Sequence, residues 1–144
     1  MNMSDGEHTP GFTAGLEIRR EVMGDDFVER AFERSRGTDS EAMQEFVTEH
    51  AWGAVWSRPG LDRRSRSLLN LGMLIALRAE NELRGHVRGA LRNGLGRTEI
   101  VESVIHCSAY CGAPAGLAAM RVVQEVLEAE LGPLSEDTDT SDGA

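Results

Sequence analysis

Apolar residues recur along most of the chain at intervals of three and four, the spacing of helices that bury one face. No segment alternates between apolar and polar residues for long enough to predict a β-strand. The pattern and its end signals predict helices at residues 15–23, 25–34, 38–56, 96–110 and 115–131. Between residues 56 and 96 they predict two more helices, one that begins at Asp62 and one that ends at Asn93. We therefore predict an all-α fold, a bundle of six or seven helices joined by short loops.

Local signals define several helix ends. Thr38 and Glu41, three residues apart, predict a capping box at the start of the third helix. Asp62 is placed to cap the next helix, and Asn93-Gly94 is a usual left-handed stop for the helix that precedes it. Residues 68–77 are apolar nearly all round, which predicts burial on every side, either at the centre of a bundle or at a subunit interface.

Composition narrows the possible partners. The chain has 144 residues, enough for one domain, and its net charge of −9 argues against nucleic acid and anionic membranes as partners. Residues 1–11 and the acidic tail 132–144 are expected to be disordered, leaving a helical domain at 12–131. Residues 1–11 lack the apolar stretch of a secretory signal, and the longest apolar run, 71–77, is too short to span a bilayer. A cytoplasmic protein that binds a small molecule is the expectation.

Glu82 and His86 are the first candidates for chemistry. They lie four residues apart in a predicted helix, within side-chain reach of each other. We expect their face, which includes Leu83 and Val87, to point inward, and burial beside a charge gives such groups catalytically useful pKa values. The alternative is an ordinary ion pair on a half-exposed helix, worth a few tenths of a kcal/mol.

Four arginines, Arg58, Arg63, Arg64 and Arg66, surround a Pro-Gly turn at the start of a predicted helix. Positive charge is unfavourable at a helix N-terminus, so the cluster favours a bound anion such as a carboxylated substrate. The alternative is a solvated turn.

His106 and the chain's only tyrosine, Tyr110, share a helix face and are candidates either for lining a pocket or for a surface pair.

Cys107 and Cys111 have a spacing that could serve metal binding or redox chemistry. They share an apolar stripe with Ile100 and Val104, which favours packing, because free cysteine behaves as a small hydrophobic residue. A zinc site would need two further ligands, and the sequence has no second CxxC and no HxxxH motif. We therefore expect no metal site.

Three sequence blocks, RPGLDRRSRSLLNLGMLIAL, ELRGHVRGALRNG and EIVESVIHCSAYCGAPA, resemble the carboxymuconolactone decarboxylase family. The resemblance covers about residues 15–128 and implies the helical bundle of the alkylhydroperoxidase D-like type. Peroxidase-like members of that superfamily carry CxxC with a histidine four residues after the second cysteine. Counted back from His86, those cysteine positions are Ala79 and Glu82 here, so the redox pair is missing.

The resemblance implies a cofactor-independent decarboxylase of a carboxylated γ-lactone, most similar to those that act on 4-carboxymuconolactone. It places His86 as general acid or stabiliser of the dienolate, with Glu82 orienting its ring. An arginine, Arg58 or Arg64, would anchor the acetate arm of the substrate rather than the departing carboxylate. The further substrate-binding candidates are His106 and Tyr110. The family's assembly implies a homo-oligomer, either a hexamer or a trimer.

Leu117 departs from the family pattern, which often has an asparagine at this place. This difference leaves open a different carboxylated substrate, such as one in a biosynthetic pathway. Two other classes remain as alternatives. A peroxidase-like oxidoreductase would need a reactive thiolate at Cys107, and a non-enzymatic binding or assembly protein would bind lactones without turnover.

Overall fold

The computed structural model describes residues 8–135, and all regular structure in that range is helical. Its α-helices are α1 (Pro10–Met23), α2 (Asp25–Ser35), α3 (Glu41–Val47), α4 (Arg63–Ala76), α5 (Glu80–Arg92), α6 (Arg97–Cys111) and α7 (Ala113–Leu131). A π-helical segment, Thr48–Val55, continues α3. The predicted all-α fold is confirmed. Residues 1–7 and 136–144, most of the two predicted disordered ends, lie outside the described range.

Three helix ends follow the signals in the sequence. Asp62 Oδ1 accepts a hydrogen bond from the Ser65 N–H at 2.7 Å and so caps α4. Asn93 ends α5, and Gly94 follows it with a φ of 94°, a conformation that residues with a Cβ atom rarely adopt. Gly24 ends α1 with a φ of 93°.

The first helix begins five residues earlier than predicted, at Pro10 rather than Gly15. Thr9 caps it, since its Oγ1 accepts a hydrogen bond from the Phe12 N–H at 3.1 Å. Proline fits the first turn because its missing N–H has no helical partner there. The Thr-Pro pair was therefore a start signal that the apolar spacing alone did not reveal.

The predicted capping box at Thr38 and Glu41 is wrong. Thr38 lies in the turn before α3, where its Oγ1 donates to the Ser35 carbonyl at 2.7 Å. The Glu41 carboxylate accepts from the Gly37 N–H at 3.1 Å. Both side chains satisfy backbone groups of the turn, and Ser40 becomes the residue before the helix.

The described chain divides into two compact units between Ser67 and Leu68, a point within α4. In the first unit, α1 approaches the π-helical segment until their backbones meet. A Cβ atom on Gly15 would lie 2.6 Å from Gly53 N and would overlap the carbonyl oxygen of Thr48. The close crossing therefore requires glycine at position 15.

Arg19 is a buried cation in the first unit, only 6% exposed. Its Nη1 donates to Thr48 Oγ1 at 3.0 Å, and its Nη2 donates to Gln44 Oε1 at 2.8 Å. Its guanidinium also lies 5.6 Å from the ring centroid of Phe32. Burial lowers the pKa of Arg19, and neutral hydrogen-bond acceptors offset part of the desolvation. Arg19 thus links α1 to α3 and to the π-helical segment.

The second unit has a core built from α4, α5, α6 and α7. Its deeply buried side chains include Leu71, Ile75, Leu83, Val87, Ile100, Val104 and Val123. At one crossing α7 approaches α6 closely, since a Cβ atom on Gly116 would lie 2.8 Å from Ser108 Cβ. This core fixes the backbones of α4 and α5, which carry the residues of interest below.

The apolar part of α4 is not buried on every side. Leu71 and Ile75 are buried, but Leu69 and Met73 are 54% and 53% exposed, and Leu77, directly after the end of α4, is 74% exposed. The prediction of a helix at the centre of the chain's own bundle is therefore wrong for this face. The interface alternative stays a prediction. Separately, no helix between residues 8 and 135 is both long and apolar enough to cross a membrane.

We expect Gly15→Ala to lower the free energy of unfolding by about 3 kcal/mol, since the added methyl group overlaps backbone atoms that no side-chain rotation can move. Gly60→Ala is the matched control, because a Cβ atom at Gly60 meets no heavy atom within 4 Å. Denaturant titration of both variants measures the difference. Equal unfolding midpoints would contradict the close crossing of α1 and the π-helical segment.

Candidate active site

His86 lies on α5 beside the core of the second unit. Leu83, Val87 and Ala90 form the buried stripe of this helix, as the sequence predicted. His86 is half-buried next to that stripe. The packed residues therefore fix the backbone that carries the imidazole, while the ring itself stays at the edge of the core.

Asn70, on α4, contacts the imidazole of His86. Its Nδ2 lies 3.4 Å from His86 Nδ1, and both side chains are half-buried. Sequence reasoning missed this residue, although a signal was present. Asn70 directly precedes the buried Leu71, as His86 directly precedes the buried Val87. Two polar residues that flank positions of one core are candidates for contact at its edge.

Glu82 lies in the first turn of α5 and is exposed. The expected inward orientation of this carboxylate is not observed, because the buried stripe begins at the next residue, Leu83. A negative charge in the first turn interacts favourably with the helix dipole. The structure thus places the Asn70 amide at the His86 ring, and the role of Glu82 as orienting group stays a prediction.

His106 and Tyr110 share one face of α6, as predicted, and their ring centroids are 5.1 Å apart. Both are exposed, and Tyr110 is 81% exposed. The pair is therefore a surface feature of the single chain rather than part of its core. Their role in substrate binding stays a prediction.

The arginines around the Pro-Gly turn belong to the first unit and fall into two groups. Arg63 pairs with Glu21 at 2.6 Å, and Arg66 Nη2 donates to the Arg58 carbonyl at 3.1 Å. Arg58 and Arg64, the two substrate-binding candidates, have exposed side chains. Arg66 thus contacts the turn and Arg63 contacts α1, while the side chains of Arg58 and Arg64 are accessible to a ligand.

Negative charge at the start of α4 offsets part of this arginine charge. Hydrogen bonds from the backbone and side chain of Ser65 lower the pKa of Asp62, and the charge of Arg64 acts in the same direction. Asp62 therefore remains ionised where the helix dipole favours an anion. The Glu21 carboxylate also pairs with Arg63. Because the arginines have anionic neighbours within the chain, their clustering favours a bound anionic substrate less strongly than the sequence alone did.

Cys107 packs against the core of the second unit, and a Cβ atom on Gly72 would lie 3.8 Å from its Sγ. Burial raises the pKa of the Cys107 thiol, and the neighbouring Cys111 raises it further. Cys111 is exposed. The predicted packing role is confirmed for Cys107 and is wrong for Cys111. In the part of the chain described, no three His, Cys, Asp or Glu side chains group together as metal ligands.

Comparison with known proteins gives one family and several relatives. The model of the carboxymuconolactone decarboxylase family matches residues 41–125. The nitrosuccinic acid decarboxylase npaB of Metarhizium robertsii is 44% identical over 124 residues, which cover 86% of each chain. A 4-carboxymuconolactone decarboxylase of Acinetobacter baylyi is 44% identical over 117 residues, 81% of this chain and 87% of the relative. An uncharacterized 15.0 kDa protein of Paracoccus denitrificans is 34% identical over 101 residues, 64% and 75% of the two chains.

We expect Cys107 to be alkylated more slowly than Cys111, because burial shields its sulfur and raises its pKa, which lowers the thiolate fraction. Iodoacetamide labelling at about pH 7.5, followed by peptide mass spectrometry, gives both rates. Labelling in denaturant is the control, since the two rates should converge there. Faster labelling of Cys107 than of Cys111 in the native protein would contradict this assignment.

Proposed function

Since the chain belongs to the carboxymuconolactone decarboxylase family, we propose that it is a cofactor-independent carboxy-lyase acting on a carboxylated γ-lactone. The first candidate reaction converts 4-carboxymuconolactone to the β-ketoadipate enol-lactone of protocatechuate degradation. The observation that carries this proposal is the 44% identity to a 4-carboxymuconolactone decarboxylase over 81% of the chain. The family resemblance predicted from the sequence blocks is thereby confirmed.

The proposed chemistry needs no external electron sink. The bond between the ring carbon and the carboxylate breaks, CO₂ leaves, and the electron pair passes through the ring double bond to the lactone carbonyl. A proton then adds to carbon and gives the enol-lactone. The protein must bind the substrate, stabilise the negative oxygen of the dienolate and supply the proton.

His86 is the proposed proton donor or dienolate stabiliser. It is half-buried, so a substrate can reach it while the adjacent core limits water. Glu82 is its proposed orienting partner from the sequence, although the described contact to the ring comes from Asn70. Arg58 or Arg64 is the proposed anchor of the acetate arm, since guanidinium binds carboxylate in a bidentate manner. The proposed secondary substrate contacts are His106 and Tyr110.

A nitro-substituted carboxylic acid is the second candidate substrate. The relative named nitrosuccinic acid decarboxylase is also 44% identical and covers 86% of this chain. In a 2-nitro acid the electron pair left by CO₂ can move to the nitro group, as it moves to the carbonyl of the lactone. One protein framework can therefore serve both reactions, and Leu117, where the family often has asparagine, is a position that could distinguish them.

A thiol peroxidase is a weaker candidate for this chain. Ala79 and Glu82 occupy the places of the redox cysteines in peroxidase-like relatives. The raised pKa of Cys107 lowers its thiolate fraction, which works against peroxide reduction at this residue. Decarboxylation needs neither a pair of redox cysteines nor a reactive thiolate, so it agrees better with the residues present.

We also propose that the protein is a cytoplasmic homo-oligomer, with a hexamer as first expectation and a trimer as the alternative. The support in the structure is an outer stripe formed by Leu69 and Met73 on α4 and by Leu77 directly after its end, all more than half exposed. Three large apolar side chains spaced four residues apart form a patch that association would bury.

We expect His86→Gln to lower kcat for decarboxylation by at least about 100-fold, since general acid catalysis typically contributes that much. His50→Gln is the matched control, because His50 is an exposed histidine of the first unit whose ring lies at a tilt against Phe46. Release of CO₂ from 4-carboxymuconolactone and from nitrosuccinate is measured for the wild type and both variants. Near-normal turnover by folded His86→Gln protein would remove His86 from the mechanism.

We expect Met73→Glu to reduce the oligomer to smaller species, because a carboxylate at the centre of the outer stripe cannot be buried without a partner. Leu131→Glu is the control, as Leu131 is 52% exposed at the end of α7, away from that stripe in sequence. Light scattering coupled to size-exclusion chromatography gives the masses. An unchanged mass for Met73→Glu would show that this stripe is not an interface.

A further inference from the structure

We propose that Asn70 is a positioning residue for His86 and holds its neutral imidazole in the tautomer with the proton on Nε2. The inference rests on the proposed role of His86 in decarboxylation and adds a residue on a different helix. The observation behind it is the approach of Asn70 Nδ2 to His86 Nδ1 at 3.4 Å.

The chemistry of the two contacting atoms fixes the direction of the hydrogen bond. An amide nitrogen can only donate, so the facing Nδ1 must accept and carries no proton. A neutral imidazole has one N–H group, which must then be at Nε2. His86 therefore presents Nε2–H as a hydrogen-bond donor, the form that can stabilise a developing oxyanion or deliver a proton.

The packing around the pair explains why this contact persists. Leu71, directly after Asn70, is 1% exposed, and Val87, directly after His86, is 0% exposed. Both belong to the same hydrophobic core, which holds the backbones of α4 and α5 in place. The short asparagine side chain then loses little conformational entropy on making its hydrogen bond.

The opposite tautomer, with the proton on Nδ1, should slow the proposed decarboxylation. It would direct the Nε2 lone pair, rather than a proton, towards the negative charge that forms as CO₂ leaves. Turnover should therefore follow the fraction of His86 in the Nε2–H form. Substrate binding through the arginines should depend little on it, so kcat should change more than KM.

Two substitutions of nearly equal size separate positioning from simple packing. Asn70→Asp replaces the donor by an acceptor, which should draw the proton to Nδ1 and lower kcat at least tenfold. Asn70→Leu removes the donor without reversing the contact, and its kcat should fall between those of the wild type and Asn70→Asp. Asn81→Asp is the control, because it adds the same charge at an exposed position of α5 and should leave kcat unchanged.

Nitrogen NMR of protein labelled with ¹⁵N-histidine reads the tautomer directly, whether or not the enzyme turns over. Spectra are recorded at about pH 8.5, where imidazoles with ordinary pKa values are neutral. The His86 signals are identified by their loss in His86→Gln. We expect a protonated Nε2 in the wild type and in Asn81→Asp, and a protonated Nδ1 in Asn70→Asp.

Three results would overturn the inference. A wild-type His86 protonated at Nδ1 would show that the amide does not donate to the ring. A tautomer unchanged in Asn70→Asp would show that Asn70 does not control it. A reversed tautomer with normal kcat would show that positioning by Asn70 has no part in turnover. A wild-type protein that decarboxylates neither candidate substrate would instead refute the proposed function, and the NMR result would still report the contact.

Discussion

The burial of Leu71 and Val87 in one hydrophobic core is the constraint on which the candidate site depends. Dense packing allows these side chains few alternative positions, so the helices that carry them have a defined separation. The distance between Asn70 and His86 follows from that separation, because each residue directly precedes one of the two packed residues in the chain. The contact between amide and imidazole is thus a consequence of apolar packing rather than a separate source of stability.

The first unit depends on a close backbone crossing and on the contacts of a buried arginine. There, backbone meets backbone at Gly15, and the buried Arg19 donates to the neutral acceptors Thr48 and Gln44. A buried cation without a carboxylate partner is costly unless several acceptors are placed around it. The glycine crossing brings Thr48 into the range where it can serve as one of them. Close packing and the polar contacts of Arg19 therefore support each other in this unit.

Helix number, fold class and several ends could be predicted because they depend on local spacing and on caps such as Asp62 and Gly94. The capping box at Thr38 could not, since the same Thr and Glu spacing also satisfies a turn before the helix. The π-helical segment has no sequence period of its own, so the pattern predicted one continuous helix over residues 38–56. Within the candidate site, spacing singled out Glu82 and His86 as a pair and missed Asn70. Asn70, which contacts the ring, is sixteen positions away along the chain and is brought close only by tertiary packing.

Three consecutive residues of α4 meet three different environments. Leu69 is exposed on the outer stripe, Asn70 contacts His86, and Leu71 lies in the core. Successive helical residues are about 100° apart around the axis, so a small rotation of α4 would alter all three environments together. Any partner that binds the outer stripe and turns this helix would therefore also change the orientation of the amide at His86. Because Leu71 and Ile75 anchor α4 in the core, the angle between the outer stripe and the amide at His86 is set by a single rigid helix.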